Sequence, residues 1–180
     1  DVDECKRFKD SVNKFNKENI PFYISVPKSD INIFKNKLGT EDYILIPDEE
    51  IYQLTTNLDG WRTQQIVKSH FHRLKICKNY LCFDSDSFFI RDFKKSDFMA
   101  NDEVVYSVVH DPAYYKMQSY NKNKEWYNSC FYRTVRACRK IFQNEGLTKL
   151  YTYGPPPYPW NCSVWESIEE WFKDNNMNME

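Results

Sequence analysis

The chain has 180 residues, enough for one domain with a sizeable hydrophobic core. Hydrophobic residues make up 41% of it and aromatic residues 17%, which excludes an intrinsically disordered protein. A net charge of −1 without a basic stripe argues against nucleic-acid binding, and the apolar runs are too short for a transmembrane helix.

Strand and helix patterns alternate along the first half of the chain. Apolar residues recur at spacings of three and four from Val2 to Phe15, which predicts an amphipathic helix. A short strand follows in "PFYISVP", and we expect Ser29 to cap a second helix that ends at Gly39. "DYILIP" predicts another strand, residues 47–60 are turn-like, and 61–76 form a helix with Asp59 near its start.

The second half continues the alternation. "YLCFDSDSFFI" begins as a buried strand, "EVVYSVVH" at 103–110 is a further strand, and 125–142 is a long helix. The proline-rich "YTYGPPPYPW" predicts an extended surface loop. Ser163 and Glu166 have the spacing of a capping box for the last helix.

This order of elements predicts one α/β domain over 1–180, with helices flanking a mostly parallel central sheet. Ligands of such sheets bind beyond the carboxyl ends of the strands. The first element is a helix, however, although a strand is expected before it at the centre of the sheet. Either the chain is a fragment that lacks this first strand, or its sheet is smaller than expected.

Six cysteines are scattered without a CxxC pair, which predicts free thiols in a reducing compartment rather than a zinc site or a disulfide framework. We therefore expect a cytoplasmic protein with no transmembrane segment, for which peripheral membrane contact stays open.

Asp84 and Asp86 lie at the end of the apolar strand "YLCF". Carboxylates are costly to bury unless they are paired or bind a metal. In an extended chain, residues i and i+2 point to the same side, so the two carboxylates can converge on one ion. Mg²⁺ and Mn²⁺ prefer oxygen ligands and keep positions that phosphate oxygens can fill. The motif therefore favours a site for a divalent metal and a diphosphate, against the simpler reading of two polar residues in an exposed turn.

An apolar strand, Asp-Ser-Asp, and then "IRDF" together resemble the nucleotide-sugar glycosyltransferases of the GT-A fold, which is Rossmann-like. "GWRTQQIVKSHFHRL" at 60–74, followed by "YLCFDSD", is also similar to an uncharacterised bacterial family with glycosyltransferase-like motifs. "PFYISVPKSD" resembles the second strand of that family. The resemblance covers residues 1–100, which would form the nucleotide-sugar-binding half, and it covers 101–180, the acceptor-side half, poorly.

The resemblance implies a role for each matching residue. Asp86 would be the main ligand of Mn²⁺ or Mg²⁺, and Asp84 would contact the metal or the ribose. The backbone of Ser85 would approach the nucleotide of a UDP- or GDP-sugar. Gln64, Gln65 and Lys68 would hold this donor, with Lys68 at the diphosphate. We expect Trp61 to be a core or capping residue rather than a stacking platform.

One departure from the family pattern concerns the metal site, and the three histidines of the chain bear on it. The third metal ligand has no clear counterpart, and His110, beside Asp111, is the candidate for acceptor contact or acid–base catalysis against the simpler reading of a structural histidine. His70 and His72 are two positions apart on a predicted helix, which would point them to different faces and argues against a metal pair there.

Two other functions compete with transfer of a sugar to a carbohydrate or glycoconjugate acceptor. "FDSDS" also resembles the motif of haloacid-dehalogenase-like phosphatases, in which Asp84 would be the nucleophile and Asp86 the general acid. That motif normally opens its domain, whereas here it lies in the middle of the chain. Alternatively, the aromatic residues of 114–132 and 151–160 would form a non-catalytic carbohydrate-binding or scaffold module.

Overall fold

The computed structural model describes residues 1–39, 41–106, 109–110, 124–126, 133–141, 152–153 and 157–179. Within these ranges the helices are α1 (Val2–Phe15), α2 (Ile31–Leu38), α3 (Asp48–Ile51), α4 (Gly60–His70), α5 (Lys124–Trp126), α6 (Arg133–Ile141) and α7 (Cys162–Asp174). The strands are β1 (Tyr23–Val26), β2 (Ile44–Pro47), β3 (Asn79–Cys82), β4 (Val109–His110), β5 (Thr152–Tyr153) and β6 (Tyr158–Asn161). The protein is therefore mixed α/β, as predicted.

The chain forms two compact units, one of Asp1–Tyr106 with Pro156–Glu180 and the other of Ser107–Pro155. In the first unit, β1 pairs with β2 in parallel, and β3 pairs with β6 in antiparallel register. The second unit contains the antiparallel pair β4–β5. Only one of these three pairs in the described ranges is parallel, so the mostly parallel central sheet stays a prediction.

Helix α1 supplies much of the core of the first unit. Asp1 caps it, because its carboxylate accepts the backbone N–H of Asp3 at 2.9 Å. The buried side chain of Cys5 packs with Ile24 and Val26 of β1, and those of Phe8 and Val12 pack with Phe93. These are the positions that the helical spacing predicts to face inward, so this part of the sequence prediction is confirmed.

The start of the second helix differs from the prediction. Ser29 is not its cap, because the Ser29 hydroxyl donates to the Asp30 carboxylate at 2.8 Å. Lys28–Asp30 form a 3₁₀ turn instead, and α2 begins at Ile31. Gly39 ends α2 as expected, with a φ of 77° that favours glycine. The segment predicted as turn-like also contains a single helical turn, α3.

The predicted helix over 61–76 is shorter in the structure. Asp59 caps α4 by accepting the backbone N–H of Arg62 at 3.0 Å, which confirms the expected start. The helix changes to a 3₁₀ turn over Phe71–Leu74. Lys75 then adopts a left-handed conformation, with φ 54°, that redirects the chain into β3.

The largest difference from the prediction lies in the proline-rich segment. Residues 158–161 form β6, not a surface loop, because Tyr158 to Asn161 find backbone partners along β3. Pro159 is compatible with this strand because β3–β6 is a two-stranded sheet, in which β6 is an edge strand. Proline has no N–H to donate, and an edge strand tolerates that. The capping box at Ser163 and Glu166 is also wrong, since Asn161 caps α7 by accepting the N–H groups of Ser163 and Val164.

Two other predicted elements lie partly outside the described residues. For the helix predicted over 125–142, only α5 and α6 are described. The strand predicted over 103–110 includes β4 and a single bridge between Met99 and Val105, while 107–108 lie outside the described ranges. Among the described helices, none is long and apolar enough to cross a membrane.

Candidate functional site

The Asp-Ser-Asp segment forms a tight turn directly after β3. The strand ends at Cys82, and the carbonyl oxygen of Asp84 accepts the N–H of Ser87 at 3.0 Å. Ser85 and Asp86 therefore occupy the two corner positions of a β-turn. The alternation argument for two converging carboxylates does not apply here, because the residues lie in a turn rather than in extended chain.

Lys68 of α4 forms an ion pair with the Asp84 carboxylate. The lysine side chain is only 13% exposed, whereas that of Asp84 is 40% exposed. Helix and strand are held together beside this pair by the Tyr80 hydroxyl, which donates to the Lys68 carbonyl oxygen at 3.1 Å. The structure thus brings together two of the residues predicted for the site, with the cation more deeply buried than the anion.

Asp86 is exposed, and within the described part of the chain its carboxylate has no ion-pair partner. The same part contains no group of three or more His, Cys, Asp or Glu side chains placed to hold a metal. Mg²⁺ usually binds through one or two carboxylates and completes its shell with water and substrate phosphates, and Asp84 and Asp86 would be those carboxylates here. A metal here would thus depend on ligands from the substrate.

Gln64, Lys68 and Ser85 line one cavity of about 940 Å³, whose remaining wall is mostly apolar. Gln64 and Lys68 share it because residues four apart lie on the same side of a helix. Gln65 is not among the residues of this cavity and lines a second groove with Arg62 and Met179. The structure therefore separates the two glutamines that the sequence motif grouped together.

Trp61 differs from its prediction as a core or capping residue. Its side chain is 70% exposed, although it also lines the cavity. Asp59 provides the cap of α4, and Ile66 and Val67 provide its buried face. An exposed indole at a cavity rim is available for stacking on a planar ring.

Sequence reasoning missed Tyr158. It pairs with Cys82 at the end of β3, which places it near the Asp84 carboxylate. Burial raises the pKa of the Tyr158 phenol, and the negative charge of Asp84 raises it further. Burial likewise raises the pKa of Cys82 to about 12, so that this thiol stays neutral. The "YPW" alternation within the proline-rich segment was the available signal for β6.

The two neighbouring histidines do not point to different faces. Their rings stack with centroids 6.0 Å apart, and both are buried, because the helix changes to a 3₁₀ turn between them. The Nδ1 atoms of His70 and His72 lie 2.8 and 2.9 Å from the carbonyl oxygens of Ile66 and Ser69. His72 Nε2 lies 3.0 Å from Glu169 Oε2. The reason given for excluding a metal pair, that the two rings point to different faces of a helix, is therefore wrong.

His110 lies in β4 of the second unit, where its backbone pairs with Thr152. Its side chain and residues 111–123, which include Asp111, lie outside the described part of the chain. Its role in acceptor contact or acid–base catalysis stays a prediction.

Comparison with known proteins identifies a family whose function is unknown. Residues 1–143 match the model of a family of unknown function, DUF6492. No curated protein matches the chain. The match includes α4, β3 and the Asp-Ser-Asp turn.

Proposed function

The chain belongs to DUF6492, a family of unknown function, and on the geometry of its Asp-Ser-Asp turn we propose that it is a divalent-metal-dependent glycosyltransferase. It would transfer a sugar from a UDP- or GDP-sugar to a carbohydrate or glycoconjugate acceptor. The finer fold proposed with this function is a GT-A-like sandwich whose donor site lies at the carboxyl end of β3.

One observation carries the proposal. An acidic turn at a strand's carboxyl end lies beside a lysine, and Lys68, Gln64 and Ser85 line the same cavity. This combination provides oxygen ligands for a cation, a positive charge for a phosphate and polar groups for a nucleotide. The exposed indole of Trp61 at the same cavity adds a surface on which a base can stack.

Each residue would contribute through binding and orientation. Bound Mn²⁺ or Mg²⁺ supplies neutralisation of the charge that develops on a diphosphate leaving group. Asp86, exposed at the turn, and Asp84 would hold that ion. Lys68 forms an ion pair with Asp84 and would bring a second positive charge next to the diphosphate. Ser85 would approach the nucleotide through its backbone.

The proposal is tested by thermal shift with Mn²⁺ alone, with UDP or GDP alone, and with metal and nucleotide together. We expect a much larger stabilisation from the combination than from either component, because binding to the folded state raises its stability. Asp86→Asn should abolish the combined effect. The matched control is Asp92→Asn, since Asp92 is also an exposed carboxylate, with a side chain 63% exposed and an ion pair to Lys17.

Three results would contradict the proposal. An equal thermal shift with metal and nucleotide in wild type and Asp86→Asn would show that the turn is not part of the binding site. The absence of a shift with any nucleotide would favour the carbohydrate-binding module. Trapping of a phosphorylated Asp84 after incubation with a phosphate monoester and Mg²⁺ would instead identify the phosphatase. Hydrolysis of a nucleotide sugar to a nucleoside diphosphate would support transfer chemistry.

A further inference from the structure

The second unit, Ser107–Pro155, differs in charge from the rest of the chain. Its sequence contains eight lysines and arginines but three aspartates and glutamates, a net charge of +5, whereas the whole chain carries −1. Pairing within the unit neutralises at most three of its cations, so the unit as a whole is positively charged. Such an excess attracts anionic partners, although the near-neutral balance of the whole chain conceals it.

Four of these cations lie in α6, which contains no acidic residue. Arg133, Arg136 and Lys140 follow one another at spacings of three and four, which places them along one side of the helix. All three residues are exposed. Helix α6 therefore has a cationic side that is open to a partner with dense negative charge.

The other side of α6 is apolar. Val135 and Cys138 are three positions apart, and spacings of four continue this pattern to Phe131 before the helix and to Phe142 after it. Cys138 is exposed and Ile141 is only half-buried, so this side is not enclosed in a core at these positions. A helix with a cationic side and an accessible apolar side is typical of helices that lie in the interface of a bilayer.

We propose that the second unit binds the surface of a bilayer that contains anionic lipids, with α6 lying in the plane of the interface. Cys138 would face the acyl boundary. Arg133 and Lys140 lie close to the border of the apolar side, so their long side chains would reach the lipid phosphates while their stems contact apolar groups.

A bilayer matches α6 better than a nucleic acid or an acidic protein does. Each of these partners supplies negative charge, but an anionic bilayer also supplies an apolar layer directly below its charged surface, and so matches both sides of the helix. The proposal does not depend on the transferase function, because Arg133, Cys138 and Lys140 belong neither to the Asp-Ser-Asp turn nor to its cavity.

Cosedimentation of the full chain with lipid vesicles tests the charge requirement. We expect binding to phosphatidylcholine vesicles that contain about 30% phosphatidylserine, and none to pure phosphatidylcholine. Because ions screen the attraction, binding should weaken steeply between about 0.1 and 0.5 M salt.

A double substitution locates the binding charge. Arg133→Gln/Lys140→Gln should weaken vesicle binding more than about tenfold, since each cation near an anionic surface contributes about fivefold. The matched control is Lys35→Gln/Lys78→Gln, which removes the same charge from exposed positions of the first unit. It should change binding by less than about twofold.

A fluorescent label on Cys138 tests which side of α6 faces the lipid. With Cys77 and Cys130 replaced by serine, an environment-sensitive NBD group on Cys138 should shift its emission to the blue on phosphatidylserine vesicles. The control carries the label on Cys77, an exposed thiol of the first unit, with Cys130 and Cys138 replaced, and its emission should not change. The remaining thiols are buried: Cys5, Cys82 and Cys162.

Four results would overturn the proposal. The absence of binding to phosphatidylserine vesicles, or equal binding to pure phosphatidylcholine, would show that the second unit does not bind anionic lipid through its charge. An equal loss of binding in Lys35→Gln/Lys78→Gln would assign the attraction to the charge of the whole chain. Unchanged emission from labelled Cys138 on bound vesicles would contradict the orientation of α6. Tighter binding to a DNA duplex or to polyglutamate than to the vesicles would assign the helix to a nucleic acid or an acidic protein.

Discussion

Lys68 and Asp84 form an ion pair in which the cation is the more buried partner, with side-chain exposures of 13% and 40%. They come from α4 and from the turn after β3, so the pair connects helix and strand at the candidate site. Removing one partner of such a pair leaves the other charge without compensation, and the cost rises with the burial of the charge that remains.

The two single substitutions should therefore differ. Asp84→Asn leaves the buried ammonium unpaired and should lower the free energy of unfolding by about 2 kcal/mol, while Lys68→Met should lower it by about 1 kcal/mol or less. Urea denaturation measures both values. The exposed pair Lys6–Asp10 is the control, and removing either of its charges should change stability by less than about 0.5 kcal/mol. Equal costs for the two site variants would contradict an asymmetric pair.

Trp61 should matter for nucleotide binding but not for stability. Because its side chain is 70% exposed, Trp61→Ala should change the free energy of unfolding by less than about 0.5 kcal/mol. If a base stacks on the indole, the same change should weaken UDP or GDP binding by about tenfold or more, and Trp61→Phe should weaken it less. Isothermal titration calorimetry measures the affinities.

Val164→Ala is the control for Trp61, because Val164 is exposed, lies on α7 and does not line the cavity. Unchanged nucleotide affinity in Trp61→Ala would show that the tryptophan is not part of the donor site.

The shifted pKa values of His70 and Glu169 predict how the stability of the protein depends on pH. Burial lowers the pKa of His70 below its usual value, so the unfolded chain binds a proton first and stability falls as pH drops below about 6.5. Hydrogen bonds, led by that from Arg73, lower the pKa of Glu169 from 4.5 to about 2. The stability that this carboxylate contributes is complete above about pH 4.5 and is lost as pH falls towards 2.

Urea midpoints between pH 8 and 3 measure both contributions. His70→Phe keeps a ring beside Tyr52, whose centroid lies 4.0 Å away, and should flatten the decline between pH 7 and 5. Glu169→Gln should flatten the decline below pH 4.5 without removing the decline due to His70. An unaltered upper decline in His70→Phe would assign it to another group.

Asn161, not Ser163, should stabilise the last helix. Its side-chain oxygen accepts the N–H groups of Ser163 and Val164 at 2.9 and 3.3 Å, and its amide donates to Asn79 at 2.7 Å. Asn161→Ala should cost about 1–2 kcal/mol, the range for loss of an N-cap, and Glu166→Ala should cost less than about 0.5 kcal/mol. Thermal unfolding monitored by circular dichroism compares the two variants. A larger loss of stability in Glu166→Ala would support the capping box instead.

Elements whose signals are local can be predicted from the amino-acid sequence alone. The spacing of Cys5, Phe8 and Val12 specifies the buried face of α1, Asp59 and Gly39 mark helix ends, and "YLCF" specifies the strand before the turn. These features follow from helix and strand periodicity and from capping within a few residues, so neighbouring positions are sufficient to predict them.

Which of these residues contact each other depends on how the whole elements pack. Tyr158 lies at the end of β3 because β6 pairs with β3, with Tyr158 opposite Cys82. The two residues are 76 positions apart in sequence, and no local pattern specifies that pairing. Gln64 and Gln65 are adjacent in sequence but line different cavities, and Trp61 is exposed because Ile66 and Val67 supply the buried face of α4. Long-range pairing and burial depend on the packing of whole elements, so a sequence pattern constrains them only weakly.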